Sequence, residues 1–196
     1  MRYLLKWAAP LAVLLILAGC ASKPSNINNV CSVFNQKDGW FNNWHSAAKS
    51  AERKYGVPVP VLMSTIRIES GFHASARPPR KKLLGFIPWK RPSSAYGFSQ
   101  ALDGTWDEYK RSTGNWGARR SSFSDAVDFV GWYHTQSNQR NGIALNDTYN
   151  LYLAYYAGHG GYARGTWKNN AHMKQAAQRA ADMARDYAVQ MQQCGL

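Results

Sequence analysis

The sequence predicts a mainly α-helical single domain, and three observations support this prediction. Apolar residues recur at helical spacing along most of the chain, and glycines and prolines separate these stretches. Runs that resemble β-strands are scarce, and no internal repeat or heptad pattern is present. At 196 residues, the chain is long enough for one domain with a substantial core.

The signals at the helix ends define the first elements. The stretch from Trp40 to Tyr55 has an apolar side at helical spacing, and Gly56 is expected to end that helix. Pro58 and Pro60 then favour the start of a second helix, because proline is tolerated in a first helical turn. Gly71 is expected to end this second helix.

Later signals predict further helices. Thr105 with Glu108 three positions on has the pattern of a capping box, and Ser124 is expected to begin the next helix. The segment "TYNLYLAYYAG" predicts a helix that ends at Gly158. An alanine-rich helix is predicted over 171–193. The run "LLGFIPW" is apolar, but its proline and glycine disfavour a strand.

The N-terminus has the pattern of an export signal. Arg2 and Lys6 precede a short apolar run, and "LAGC" ends at Cys20. This pattern resembles a bacterial lipoprotein signal, with residues 1–19 removed, Cys20 lipidated and residues 20–30 forming a polar tether. The alternative is an ordinary signal peptide with an incidental cysteine. No Asp directly follows Cys20, as in lipoproteins of the outer membrane. This resemblance implies that the protein lies on the periplasmic face of that membrane.

Two further cysteines, Cys31 and Cys194, lie near opposite ends of the predicted domain, residues 31–196. In an oxidising compartment we expect them to form a disulfide, although two buried free thiols are the alternative. No spacing of cysteine or histidine residues resembles a metal site, and neither a metal nor a cofactor is predicted.

An acidic residue interrupts an apolar helix stripe. Leu62, Ile66 and Glu69 have the i, i+4, i+7 spacing of one helix face, so the stripe ends in a carboxylic acid. Burial would keep that acid protonated near neutral pH, as a general acid requires. The alternative is a structural glutamate paired with an arginine.

Three short motifs in order resemble the soluble lytic transglycosylase (SLT) domain, a relative of goose-type lysozyme in glycoside hydrolase family 23. They are the "ES" pair followed by an aromatic residue, the "GFSQ" segment and the "AYYAG" segment, within residues 40–168. This resemblance implies a mainly α, lysozyme-like fold. It also implies that Glu69 is catalytic and that the following residues bind the sugar chain: Ser70, Phe72, Tyr96, Gly97, Gln100, Tyr155 and Tyr156.

Cleavage by hydrolysis ordinarily uses two carboxylates. No second carboxylate in the sequence is a convincing partner for Glu69. Asp103 is the acid nearest to the sequence motifs, and Asp107 and Glu108 lie where acids are expected to stabilise the first turn of a helix. A lone glutamate fits the lytic transglycosylase scheme that the resemblance implies, in which Glu69 is acid and then base and a 1,6-anhydro sugar is formed. In that scheme Tyr155 orients Glu69 through its hydroxyl.

The resemblance has departures. Ser99 and Tyr156 replace the Met and Asn usual in the second and third motifs, and residues 76–94 form an insertion rich in Arg and Lys. This segment is expected to contact a membrane headgroup or a glycan strand, or else its apolar tip folds back onto the core.

The chain is basic, with a formal charge of +13 that falls to +11 when Arg2 and Lys6 are removed. A basic surface suits an anionic polymer, and for an exported protein that polymer is peptidoglycan and not nucleic acid. The expected function is therefore a membrane-anchored peptidoglycan lytic transglycosylase that gives 1,6-anhydro-MurNAc ends. The alternatives are a catalytically silent peptidoglycan-binding lipoprotein and a lysozyme-type muramidase.

Overall fold

The computed structural model describes residues 23–38, 42–85 and 87–196. Helices dominate these residues, and the only strands among them form two short antiparallel pairs. The lipidation site expected at Cys20 and the predicted helix start at Trp40 lie outside the described residues. The helices are α1 Val30–Phe34, α2 Trp44–Tyr55, α3 Val59–Ser70, α4 Asp103–Thr113, α5 Phe123–Asn141, α6 Thr148–Ala157, α7 His159–Ala163 and α8 Ala171–Gln193. The strands are β1 Lys37–Asp38, β2 Asn42–Asn43, β3 Lys82–Leu83 and β4 Ile87–Pro88.

Glycines end the helices where the sequence predicts. Gly56 follows α2 and Gly71 follows α3, both with a left-handed backbone conformation that glycine adopts without steric cost. Gly158 follows the end of α6, as the sequence also predicts. α3 begins with Pro58 as its N-cap, in agreement with the expected proline start.

The predicted helix starts agree less well with the structure, because the side chain that caps a helix decides where that helix begins. α2 begins at Trp44. Asn43, the last residue of strand β2, caps this helix, because its side chain accepts hydrogen bonds from amides of the first turn. The predicted capping box at Thr105 is wrong, since α4 already begins at Asp103. α5 begins one residue before the predicted Ser124, because Ser122 caps it by accepting from the amide of Asp125.

α3 lies at the centre of the helical packing. It contacts α2, α5 and α8, and α8 also packs along α6. An aromatic cluster fills the core beside α2: the rings of Trp44 and Phe123 stack with centroids 4.1 Å apart, and Phe98 meets both rings edge-on. The residues that carry Glu69 are therefore fixed on several sides. The mainly α fold class predicted from the sequence is confirmed.

The basic segment contains a hairpin that extends into solvent. Strands β3 and β4 pair with Lys82 opposite Pro88, so the proline-containing run does form a short strand pair. At the hairpin, Leu84 is 76% exposed and Trp89 is 51% exposed. The alternative in which this apolar tip folds back onto the core is therefore wrong for these two side chains.

The predicted disulfide is confirmed. Cys31 and Cys194 are bonded, with Cα atoms 6.4 Å apart, and the bond joins α1 to the residue that follows α8. The adjoining N-terminal segment is also attached to the domain: Arg67 donates to the Asn28 side chain and Gln190 donates to the Asn28 carbonyl. Tyr187 also donates to the Ile27 carbonyl, so residues 27–28 of the expected tether are held against the domain. Within the described residues, no helix has the length and apolar character needed to cross a membrane.

Candidate active site

Glu69 is the penultimate residue of α3 and lies at the end of a buried stripe. Ile66 and Leu62, one and two turns earlier, are fully buried, whereas Glu69 itself is partly exposed. The residues that precede Glu69 anchor α3 in the core, and the acid emerges where the helix reaches the surface. The helix spacing seen in the sequence therefore does position this carboxyl group against an apolar wall.

The Tyr152 hydroxyl on α6 donates a hydrogen bond to Oε1 of Glu69 over 2.7 Å. Burial among protein atoms raises the pKa of Glu69 to about 7, and this effect outweighs the Tyr152 hydrogen bond, which lowers that pKa. Although the side chain is not fully covered, its carboxyl group is thus poorly solvated. An acid with this pKa is partly protonated at neutral pH and exchanges its proton readily.

The prediction that the Tyr155 hydroxyl hydrogen-bonds Glu69 is wrong. The Tyr155 hydroxyl instead donates to the carbonyl oxygen of Ser99 over 2.5 Å, and Tyr152 makes the contact with the acid. Both tyrosines lie on the same face of α6, and their rings are nearly parallel with centroids 6.3 Å apart. Burial, followed by the negative charge of Glu69, raises the pKa of the Tyr155 hydroxyl. Tyr155 therefore packs beside Tyr152 and holds the Ser99 carbonyl.

Within the described residues, Glu69 has no carboxylate partner. The Tyr152 hydroxyl is its hydrogen-bond partner, and no second acid contributes to its raised pKa. Asp103, the nearest acid in motif order, forms an ion pair with Arg120 over 2.7 Å. The described chain also holds no group of three or more acidic, histidine or cysteine side chains arranged to bind a metal. The chemistry of this site therefore depends on one acid.

Ser70 and Gln100 use their polar atoms within the protein. The Ser70 hydroxyl donates to the Ile66 carbonyl over 3.2 Å, one turn back in α3. Gln100 has a left-handed backbone with φ of 51°, and its side-chain amide donates to the carbonyls of Ala76 and Gly97 over 3.0 and 2.8 Å. The amide thereby joins the basic segment to the "GFSQ" segment.

The prediction that Phe72 and Gly97 bind the sugar chain is wrong, because both residues are buried. Phe72 has no exposed surface and packs against Trp44, with ring centroids 5.9 Å apart. Gly97 is also buried, and an added Cβ there would lie 2.0 Å from the carbonyl oxygen of Arg120. Neither residue is accessible to a sugar. They set the backbone path on either side of the site.

Tyr96 and Tyr156 remain accessible. The guanidinium groups of Arg77 and Arg120 lie 4.3 and 5.5 Å from the centroid of the Tyr96 ring. Tyr156 is 43% exposed, and its hydroxyl lies 3.2 Å from Nδ1 of His172. Exposed aromatic rings of this kind are suited to pack against sugar faces.

Several buried polar groups near the site were not predicted from the sequence. His134 is fully buried, and its Nε2 lies 3.0 Å from the hydroxyl of Thr65, one turn before Glu69 in α3. Burial lowers the pKa of His134 to about 3, so this imidazole is neutral. The Ser99 hydroxyl is buried without a hydrogen-bond partner among the described residues. In the sequence, only the tyrosine-rich stretch of α6 indicated that polar groups lie near the site.

The candidate site is separate from a cavity at the opposite end of α3. A cavity of about 440 Å³ lies at the N-terminal end of α3, lined by residues of α3, α6 and α8 that include Pro58, Tyr149 and Ala184. Glu69 lies at the other end of α3 and does not line that cavity. The acid, and not the cavity, marks the candidate site.

Comparisons with known proteins identify a family and similar solved structures. The model of a family described as the transglycosylase SLT domain matches residues 8–194. Among solved structures, the chain is similar to an inactive mutant of the lytic transglycosylase Slt from Pseudomonas aeruginosa, with 15% sequence identity and a TM-score of 0.49. That match covers 85% of this chain and 28% of the solved one, so this chain spans about a quarter of that protein. No curated protein matches the chain.

Proposed function

Since this chain belongs to the transglycosylase SLT domain family, we propose that it is a lytic transglycosylase that cleaves peptidoglycan. Its substrate is the β-1,4 bond from N-acetylmuramic acid to N-acetylglucosamine, and its product carries a 1,6-anhydromuramyl end. The observation that carries this proposal is the solitary acid Glu69, with a pKa near 7 and a hydrogen bond from Tyr152.

In the first step, Glu69 acts as general acid. With a pKa of about 7, roughly half of the molecules hold the proton at neutral pH. Glu69 donates this proton to the glycosidic oxygen, the bond from that oxygen to C1 of the muramyl sugar breaks, and N-acetylglucosamine leaves with a free hydroxyl. The N-acetyl group of the muramyl sugar stabilises the positive charge that develops at C1. Tyr152 steadies the glutamate as its negative charge forms.

In the second step, the same residue acts as general base. Glu69 takes the proton from the C6 hydroxyl of the muramyl sugar, and O6 forms a bond to C1. The ring closes to the 1,6-anhydro product, and Glu69 regains the proton it lost. No water is consumed, so no second carboxylate is needed to activate one.

A muramidase and a silent binding protein are the competing functions. A muramidase of the inverting or retaining type needs a second carboxyl group about 5–10 Å from the first. No such partner of Glu69 is found in the described part of the chain. A silent binding protein has no use for an acid held in a poorly solvated position, which costs stability at neutral pH. Both alternatives therefore fit Glu69 less well.

We also propose that the protein is lipid-anchored through Cys20 in the cell envelope, on the periplasmic face of the outer membrane. The support is the charged lead, the apolar run and the "LAGC" sequence. Radiolabelled palmitate should enter the wild-type protein, and membranes should retain it. Cys20→Ser should lose both properties, and equal labelling of the two proteins would refute the anchor.

Product analysis tests the enzymatic proposal. Residues 21–196 are incubated with purified sacculi, and the released muropeptides are separated and weighed by mass spectrometry. We expect muramyl products that lack one water relative to reducing ends. Reducing ends alone would indicate a muramidase, and binding without any release would indicate a silent protein. Both outcomes would refute the proposed function.

A further inference from the structure

A cavity of about 200 Å³ lies beside the base of the β3–β4 hairpin, on the segment that leads into α4. It is distinct from Glu69, which does not line it. Its wall is mostly polar and charged. The lining residues of this arginine cavity are Arg77, Arg91, Ser93, Ser94, Ala95, Tyr96, Asp103 and Arg120.

Three arginines and a single acid give this cavity an excess of positive charge. Arg120 is held firmly: it pairs with Asp103 over 2.7 Å and donates to the carbonyls of Ala101 and Ser94 over 2.8 and 3.1 Å. Its side chain is only 20% exposed. The one acid in the cavity is therefore already occupied, and the charges of Arg77 and Arg91 remain unbalanced.

Arg77 and Arg91 have hydrogen-bond donors to spare. Arg91 donates from Nη1 to the carbonyl of Pro78, which leaves its other N–H groups. Arg77 lies over the Tyr96 ring and has no hydrogen-bond acceptor or ion-pair partner within the described residues. A guanidinium carries five N–H donors in a planar fork that matches a carboxylate, so two such groups in one cavity favour an anion over a neutral sugar.

The arginine cavity is connected to the candidate active site by a short segment. Tyr96 lines the cavity, and three residues later the carbonyl of Ser99 accepts the hydrogen bond from Tyr155, whose ring lies beside that of Tyr152, the donor to Glu69. Three residues of extended chain span at most roughly 11 Å. The contacts of Ser99, Tyr155 and Tyr152 thus lead from the segment that lines the cavity to Glu69.

We propose that the arginine cavity binds a carboxylate of the peptide that a peptidoglycan strand carries, which makes peptide-bearing strands the preferred ligand. This inference rests on the proposed function for the identity of the polymer. Arg77 and Arg91 bind the carboxylate. Arg120 and Tyr96 form the rigid part of the wall that holds Arg77 in place.

Binding to an inactive protein tests this inference separately from catalysis. The variant Glu69→Gln is incubated with intact sacculi and with beads that carry glycan strands from which an amidase has removed the peptides, and bound protein is measured after sedimentation of each. Amidase cleavage frees the lactyl carboxylate of each muramic acid, which is amide-bonded to the peptide in an intact strand, so the comparison asks which carboxylate is bound. We expect at least tenfold tighter binding to intact sacculi. Adding Arg77→Gln and Arg91→Gln should abolish that preference and leave the affinity for stripped strands unchanged.

The matched control adds Arg53→Gln and Arg179→Gln, which remove the same charge from exposed positions on α2 and α8. We expect this control to keep the preference for intact sacculi. The inference is refuted if intact and stripped strands bind equally, if the cavity variants weaken both alike, or if the control loses the preference too. Because binding needs no turnover, a chain that releases no anhydromuramyl product still gives a decisive answer about the cavity.

Discussion

The Tyr152 hydroxyl on α6 lies 2.7 Å from Oε1 of Glu69 at the end of α3, and this hydrogen bond joins the two helices at the candidate site. Burial raises the pKa of Glu69 to about 7, while Tyr152 stabilises the charged carboxylate and keeps that pKa from rising further. The two effects together set an acid that can donate and then accept a proton near neutral pH.

The variant Tyr152→Phe should shift the pH dependence of catalysis. Activity requires a protonated Glu69 and falls as pH rises through its pKa. Loss of the Tyr152 hydrogen bond raises that pKa, so the alkaline fall of kcat/KM should move up by about one pH unit. Tyr155→Phe is the matched control, because its hydroxyl contacts Ser99 and not the acid. A shift of the same size in the control would contradict the assigned role of Tyr152.

The variant Glu69→Gln should be more stable than the wild type at alkaline pH. The pKa of Glu69 is about 7 when folded and near 4.5 when unfolded, so the folded state binds more protons between these values. The wild type therefore loses stability as pH rises through this range, by up to about 3 kcal/mol. The variant, which has no charge to bury, should lack this loss.

Urea unfolding at pH 4 and pH 8 measures this difference. The two proteins should be similar at pH 4 and diverge at pH 8. Glu108→Gln, at a largely exposed ion pair with Arg140, is the control and should follow the wild type. Equal pH dependence of Glu69→Gln and the wild type would mean that the carboxyl group is well solvated.

The variant Gly97→Ala should be strongly destabilised. The backbone there has φ of 75°, and an added Cβ would lie 2.0 Å from the carbonyl oxygen of Arg120. Backbone atoms on both sides must move, at a cost on the order of 3 kcal/mol. Gly117→Ala has open space around it and should change the unfolding free energy by less than about 1 kcal/mol. Thermal unfolding of the two variants at one pH provides the comparison.

Removal of the disulfide should lower stability by up to about 4–5 kcal/mol, because the bond between Cys31 and Cys194 closes a loop with a sequence separation of 163. The double variant Cys31→Ser with Cys194→Ser should unfold at lower urea than the oxidised wild type. A reductant should bring the wild type to the same midpoint and leave the double variant unchanged. An effect of the reductant on the double variant would point to another cause.

Helix ends were predictable where one residue decides them. Gly56 and Gly71 end α2 and α3 because glycine takes the left-handed conformation at low cost, and this property is independent of distant contacts. Helix starts depend on which side chain reaches the free amides. Asn43 and Ser122 do so here, whereas the capping-box pattern at Thr105 lies inside a helix that had already begun.

The candidate acid was predictable, but its partner was not. Glu69 stands out because it ends an apolar stripe, and this signal is local to α3. The sequence "TYNLYLAYYAG" offers four tyrosines, and i, i+3 spacing alone does not say which hydroxyl reaches Glu69. The packing of α6 against its neighbours decides in favour of Tyr152. Phe72, although only three residues after the acid in sequence, lies in the core because its left-handed backbone follows Gly71.

Digestion of sacculi in water enriched in heavy oxygen tests the central claim most directly. If Glu69 passes the proton and the C6 hydroxyl closes onto C1, no solvent oxygen enters the product. We therefore expect unlabelled 1,6-anhydromuramyl ends from the wild type, and a loss of their formation by at least about a hundredfold in Glu69→Gln. Heavy oxygen at C1 of the released muramyl sugar, or full activity of Glu69→Gln, would contradict the account.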